Sequence, residues 1–209
     1  MFLKDTGTGH QKPLSDNDIM ESQIIKPWLK VTSEQIADCR VFTVHKKLSR
    51  KTTADSDRTH DFYVFDSGDW VNIIPLTANR EVLMIEQFRH GTEGFTLEIP
   101  GGSVDLEDPS PRFAAERELL EETGYIADKW IPLGQSHPNP AIQGNLCHTF
   151  LALNVRQIEI PEFAGTEEIA VRLLPLDDVP DLIRQGTITH ALVMVAFYWL
   201  QLHEDSIRL

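Results

Sequence analysis

The chain has 209 residues, about 1.4 times a nominal 150-residue domain, so a single domain with an elaborated end is expected. Hydrophobic residues at 41% and charged residues at 24% exclude a disordered or collagen-like chain. Acidic residues outnumber basic ones by 32 to 19, a net charge of −13, which excludes sequence-independent binding to nucleic acid. The two cysteines, Cys39 and Cys147, lack a CxxC spacing, which argues against a zinc site or a disulfide scaffold and predicts a reducing, cytoplasmic setting. The opening residues lack an apolar targeting core, and the longest apolar stretch, 191–200, is far short of the ~20 residues of a membrane span.

Residues 1–20 read as a polar extension, 21–66 as an N-terminal β segment and 67–209 as the main domain. In chain order, 28–30 and 40–48 look extended, and 49–60, charged and rich in Thr and Ser, reads as a loop. Strands are predicted over 61–66, 69–77 and 81–90, with a turn at Asn79 and Arg80. The runs VNIIPL and EVLMIEQF suit strands buried on both faces. A helix follows, with Ser110 as cap, Pro111 in the first helical position and Gly124 just past the end. Further strands are predicted over 129–135, 146–155 and 169–175, then helices over 177–185 and 188–203. In the last helix Ile188, Ala191, Leu192, Val195, Trp199 and Leu202 form an apolar stripe that reads as core or dimer packing. Strands, a helix, more strands and closing helices predict an α/β fold with a mixed sheet.

The chemistry concentrates in residues 101–125, GGSVDLEDPSPRFAAERELLEETGY. On a helix, Glu118, Glu121 and Glu122 fall within an arc of about 100°. Glu118 and Glu122 are four residues apart, where like charges cost a helix roughly 0.2–0.5 kcal/mol. Taken alone, the pattern fits a solvated acidic face and a cation site equally well. The hard cation that suits it is magnesium, which shares itself between one or two carboxylates and substrate phosphates. No Ser-His-Asp or Cys-His arrangement competes with this helix.

The segment resembles the Nudix box, G-x5-E-x7-R-E-U-x-E-E-x-G-U, where U is bulky and apolar. Arg117, Glu118, Leu119, Glu121, Glu122 and Gly124 match its second half, with Tyr125 in the final apolar place. The first half departs from it. Counting from Gly101, Glu107 takes the acidic place with nine residues before Arg117; counting from Gly102, Asp108 takes it with eight. The spacing leaves both open.

The resemblance extends over roughly residues 28–203. Trp70-Val71, Gln87-Phe88-Arg89-His90, Leu97-Glu98-Ile99-Pro100-Gly101-Gly102, and Pro140 fifteen residues beyond Tyr125 are similar to the branch that cleaves ADP-ribose and nucleoside diphosphate sugars. The resemblance implies a Nudix α/β/α sandwich with a mixed sheet, making 67–209 the catalytic domain. It also implies a small N-terminal β segment that this branch often exchanges between two subunits, hence a homodimer. Glu118, Glu121 and Glu122 are then ligands of magnesium or manganese, with Glu122 also catalytic and a backbone carbonyl at Gly101 or Gly102 assisting. Arg117 orients the carboxylates.

Arg89 is implied for the diphosphate and Glu98 for a contact through a substrate hydroxyl or bound water. Trp70 either stacks on a base or packs in the core. Asn139, Pro140, Asn145 and His148 sit where the branch lines its pocket, although His148, in an apolar strand, reads as a hydrogen-bonded core histidine. The general base is placed on the loop 160–169, at Glu167 or Glu168, with Glu162 farther off. Alternatives in the same family are hydrolysis of nucleoside triphosphates and a catalytically silent sensor of ADP-ribose or a nucleotide sugar. No membrane or nucleic-acid partner is expected.

Overall fold

The computed structural model describes residues 25–53, 56–161 and 168–207. They divide into two compact units, residues 25–34 with 46–53 and 56–63, and residues 35–45 with 64–161 and 168–207. The strands β1 (Leu29–Asp38), β2 (Thr43–Thr53) and β3 (Ser56–Asp66) pair in the order β1-β2-β3. The expected loop at 49–60 is corrected here: its described residues continue β2 and β3. A sequence marks such strands weakly where, as in β1, they bury no face. All ten residues of β1 are exposed, so the apolar alternation that betrays a half-buried strand is absent. In the first unit Trp28 meets Phe62 edge-on with ring centroids 5.2 Å apart, and Lys46 pairs with Asp61 at 2.9 Å.

The second unit is built on a mixed sheet of seven strands. Its path is β12 (Ile169–Pro175), β5 (Glu81–Arg89), β4 (Trp70–Leu76), β10 (Cys147–Leu153) and β9 (Lys129–Ser136). β4 and β10 run parallel and the other pairs antiparallel. β4 and β5 pair only at Leu76 and Val82, beside their connecting turn. Beyond that point they diverge, and the wedge between them is filled by β6 (Gly94–Glu98) on β5 and β7 (Gly101–Ser103) on β4. This divergence places the segment from Glu98 to Gly102 inside the sheet, where the site forms. The two-residue strands β8 (Tyr125–Ile126) and β11 (Arg156–Gln157) pair with each other.

Helices cover both faces. On β4, Val71 and Ile73 join Ala114, Ala115 and Leu119 of α1 (Pro111–Thr123) in one core cluster. Ile74 and Leu76 join Val193, Ala196, Phe197 and Leu200 of α3 (Ala191–Ile207) in the other. Leu119, Ile73 and Ile74 are wholly buried, and each such side chain stabilises the fold by about 1.5–3 kcal/mol. α1 has the predicted punctuation: Ser110 Oγ accepts from Phe113 N, and Gly124 takes φ 72° with its N–H donating to Leu120 O.

The closing helices differ from expectation in extent. Leu176–Asp178 form a 3₁₀ turn ahead of a short α2 (Val179–Arg184), and α3 begins at Ala191. The apolar stripe is also corrected. Ala191 and Leu202 are exposed, and Val193, Ala196, Phe197 and Leu200 carry the buried face instead. Because the first ten positions of this helix are all apolar, sequence periodicity could not select the inward side. No helix among the described residues is long and apolar enough to cross a membrane.

Candidate active site

The two glycines of β7 are fixed by what surrounds them. A Cβ on Gly101 would lie 2.2 Å from Val71 O and 2.9 Å from Asn72 Oδ1. A Cβ on Gly102 would lie 2.3 Å from Glu118 Oε1. The first glycine therefore lets β7 close on β4, and the second makes room for a carboxylate of α1.

That carboxylate is half of a pair. Glu118 stands against Gly102, and Glu122 Oε2 accepts from Gly101 N at 2.9 Å. Burial raises the Glu118 carboxyl above its usual range and outweighs the opposing pull of Arg117. Glu121 is more exposed and meets Arg117 Nη1 at 3.0 Å. Arg117 spans the cluster: it also donates to Glu118 Oε1 at 2.9 Å, to Ser103 O at 3.0 Å and to Asp108 Oδ2 at 3.0 Å. The two readings left open by the box spacing are thereby resolved. Asp108 is the acidic partner of Arg117, while Glu107 is exposed. The Arg117 hydrogen bond pulls the Asp108 carboxyl below its usual range.

Next to β7 a cleft of about 660 Å³ opens, lined among others by Trp70, Asn72, Arg89, Glu98 and His190. Arg89 donates through Nε and Nη2 to the two oxygens of Glu98, both at 2.8 Å, and Thr96 Oγ1 donates to Glu98 Oε1 at 2.6 Å. Glu98 is 3% exposed. Burial alone would raise its carboxyl, but the Arg89 and Thr96 hydrogen bonds and the Arg89 charge hold it below the usual range. The structure therefore brings together Trp70, Arg89, Glu98, Gly101 and Gly102 around one cleft. The helix carboxylates Glu118 and Glu122 stand against the glycines of its wall.

Other predicted residues lie apart. Asn139 and Pro140 are exposed in a turn and are not among the residues lining this cleft. Asn145 is buried and donates to Gly68 O at 3.2 Å. His148 lies 3.1 Å from Asp69 Oδ2, and Asp69 Oδ1 accepts from Leu146 N, which is the hydrogen-bonded histidine expected of that strand. Glu168 is exposed just before β12, whereas Glu162 and Glu167 lie outside the described residues. The sequence reading missed Asn72 and His190. Asn72 had a signal, being the single amide in the apolar run VNIIPL. His190 precedes α3 with no pattern to mark it.

Among the described residues no three His, Cys, Asp or Glu side chains form a ready cage. A cage is not what magnesium requires, since it keeps waters and shares itself between one or two carboxylates and substrate phosphates. Glu118 and Glu122, flanking a glycine strand whose missing side chains leave the carboxylates room, fit that requirement.

The NUDIX domain pattern matches residues 67–196. An "ADP-ribose pyrophosphatase" of Bacillus subtilis is 30% identical over 135 residues, covering 64% of this chain and 72% of that protein. A "GDP-mannose pyrophosphatase" of Yersinia pestis is 30% identical over 151 residues, covering 67% of this chain and 74% of that protein. A crystal structure of an "ADP compounds hydrolase" superposes with a TM-score of 0.75 at 21% identity, over 88% of this chain and 97% of that one.

Proposed function

This chain belongs to the Nudix family, and from that premise we propose that its cleft hydrolyses the diphosphate bond of ADP-ribose or of a nucleoside diphosphate sugar. The products are a nucleoside monophosphate and a sugar phosphate. The observation that carries the reading is the juxtaposition of Glu118 and Glu122, packed on Gly102 and Gly101, with the Arg89–Glu98 pair in the adjoining cleft. Two similar proteins bear the names of nucleotide-sugar pyrophosphatases.

Glu118, Glu121 and Glu122, with a carbonyl of Gly101 or Gly102, would hold magnesium or manganese. Such an ion, when bound, offsets phosphoanhydride charge and makes a water more acidic. The remaining work falls to the chain. Arg89 presents a planar fork suited to a diphosphate, and Glu98 fixes the orientation of that fork before substrate arrives. Arg117 holds Glu118 and Glu121 in place. Trp70 offers its ring to the base. Glu167 or Glu168 takes the proton of the attacking water. Residues 67–209 form the catalytic domain, and 21–66 is exchanged within a cytoplasmic homodimer, for which light scattering should give twice the 23.7 kDa chain mass.

The test is incubation with ADP-ribose, GDP-mannose and ATP in magnesium, followed by chromatography of the products, with Glu122→Gln as control. Nucleoside monophosphate from the sugar nucleotides, lost in the variant, is expected. Release of pyrophosphate from ATP alone would move the chain to the triphosphate-cleaving enzymes. No product from any of the three would sink the hydrolase reading.

A further inference from the structure

One residue of the cleft is not explained by the chemistry above. Side chains alternate along a strand, so Asn72 shares the face of β4 that carries Ile74 and Leu76, the face that packs on α3. It is the polar member of an apolar row and is 8% exposed. Its Nδ2 is fully buried and has no hydrogen-bond partner among the described residues. Gly101, bare where a Cβ would lie 2.9 Å from Asn72 Oδ1, leaves space for this amide. A buried donor without an acceptor is costly in the free chain, so such a group is explained when a ligand brings the acceptor.

A second set of donors lines the same cleft. Thr189, His190, Ala191 and Leu192 lead into the 17-residue helix α3. The first intrahelical donors are Val193 and Met194, both to His190 O. The amides of Ala191 and Leu192 precede them and have no acceptor among the described residues. Helix N-termini carry partial positive charge and bind anionic oxygen. The one carboxylate nearby, Glu98, is already matched by Arg89 and Thr96. The groups left at this end of the cleft are mainly donors, beside His190 Nδ1, which stands 3.4 Å from Glu98 Oε2. A ribose hydroxyl would also need an acceptor for its own proton, whereas a phosphoryl oxygen needs only donors.

We propose that Asn72 and the first turn of α3 form a phosphate-oxygen subsite, with Asn72 Nδ2 and the amides of Ala191 and Leu192 holding the phosphoryl group farther from the α1 carboxylates. Asn72 is its substrate-positioning residue. The proposal rests on the hydrolase reading in taking a nucleoside diphosphate as the ligand.

The test is calorimetric titration with ADP, and with adenosine as control, in EDTA so that neither metal nor turnover enters. Wild type is compared with Asn72→Leu, which removes both polar atoms at similar volume, and with Asn72→Ala. At least a tenfold loss of ADP affinity is expected in both variants, with adenosine binding unchanged and, in Asn72→Leu, Tm equal to or above wild type. Unchanged ADP affinity overturns the proposal. So does an equal loss for adenosine, which would assign Asn72 to the nucleoside. Loss of Tm in Asn72→Leu also overturns it, because it shows the amide already matched within the chain; Asn72→Ala, which leaves a cavity, is read for affinity alone. If the wild type hydrolyses sugar nucleotides but Asn72→Leu binds ADP normally, the subsite fails alone. If ADP binding weakens as expected but no substrate is cleaved, the hydrolase reading fails and the phosphate subsite stands.

Discussion

Gly101 and Gly102 are neighbours, yet adding one methyl group to each should fail in different ways. At Gly101 the new Cβ lies 2.2 Å from Val71 O and 3.2 Å from Asn72 Cα, both backbone atoms of the central strand. Neither atom can move without opening the β7–β4 pairing. Forced overpacking of this kind costs about 1–3 kcal/mol, and each kcal/mol lowers Tm by about 2–4 °C in a chain of this size. Gly101→Ala should therefore melt about 2–12 °C below wild type. At Gly102 the obstacle is the end of a flexible side chain, Glu118 Oε1 at 2.3 Å and Oε2 at 2.7 Å. The carboxylate can swing aside, so Tm should stay within about 2 °C. The same swing displaces a proposed metal ligand, and a misplacement of about 1 Å can cost on the order of 100-fold in rate. Differential scanning fluorimetry and kcat measured side by side on ADP-ribose check both claims. If Gly102→Ala turns over like wild type, or if the two variants lose Tm equally, the division of labour between the glycines is wrong.

The remaining expectations are narrower. Asp108→Asn should lower Tm and Glu107→Gln should not, because of these two Asp108 is the one that pairs with Arg117; equal Tm values for the two would refute that pairing. The Glu98 carboxyl titrates below its usual range, so its charge stabilises the fold above the unfolded value near pH 4.3, and that contribution is lost as pH falls through the lower folded value. The Tm gap between wild type and Glu98→Gln should hold steady above about pH 5 and close below about pH 4, and a gap that widened on acidification would reverse the sign argued here. Cys39 is exposed, while burial pushes the Cys147 thiol up to about 12. A thiol reagent should thus modify one site in the native chain and two after denaturation, and two in the native chain would contradict the burial. Glutamine at one of positions 167 and 168 should lower kcat strongly with little change in affinity, the other being nearly silent. Near-normal kcat in both single variants and in the double variant across pH 6–9 would place the base elsewhere.

Patterns that follow from burial were legible in the sequence; those that do not were hidden. VNIIPL and EVLMIEQF announced β4 and β5 because both faces of each are buried over most of their length. The cap at Ser110, the proline after it and Gly124 bounded α1 because each answers a local backbone need. β1 and the described part of 49–60 escaped; β1 shows why, since a wholly exposed strand leaves no hydrophobic trace. The site divides the same way. Glu118, Glu121 and Glu122 repel one another on a single helix, and that unfavourable spacing is visible in the sequence. The cleft is different: the resemblance marked Arg89 and Glu98, whereas Asn72 and His190 come from distant segments that meet there only in the folded chain.

The irregular first half of the box shows how a structure absorbs what a spacing rule does not allow. The inserted length must go somewhere between Gly102 and Arg117 without moving the acidic partner of the arginine. Asp105 and Asp108 close a turn on themselves: Asp108 N donates to Asp105 O at 3.1 Å, and Asp105 N donates to Asp108 Oδ2 at 2.9 Å. Residues 106 and 107 are thereby pushed outward, and Leu106 is fully exposed, an unusual place for a leucine. Asp108 keeps one oxygen on its own turn and on Arg117 Nη2, and the other faces Arg117 Nε at 3.4 Å. Ser110 then caps α1 two residues later. The helix is thus anchored at its start by the cap and in its middle by Arg117, so the extra residue alters the loop and leaves Glu118 and Glu122 on the glycines. Shortening the loop by deleting Glu107 alone should therefore cost less than replacing Asp108, because the first removes outward slack and the second removes the anchor.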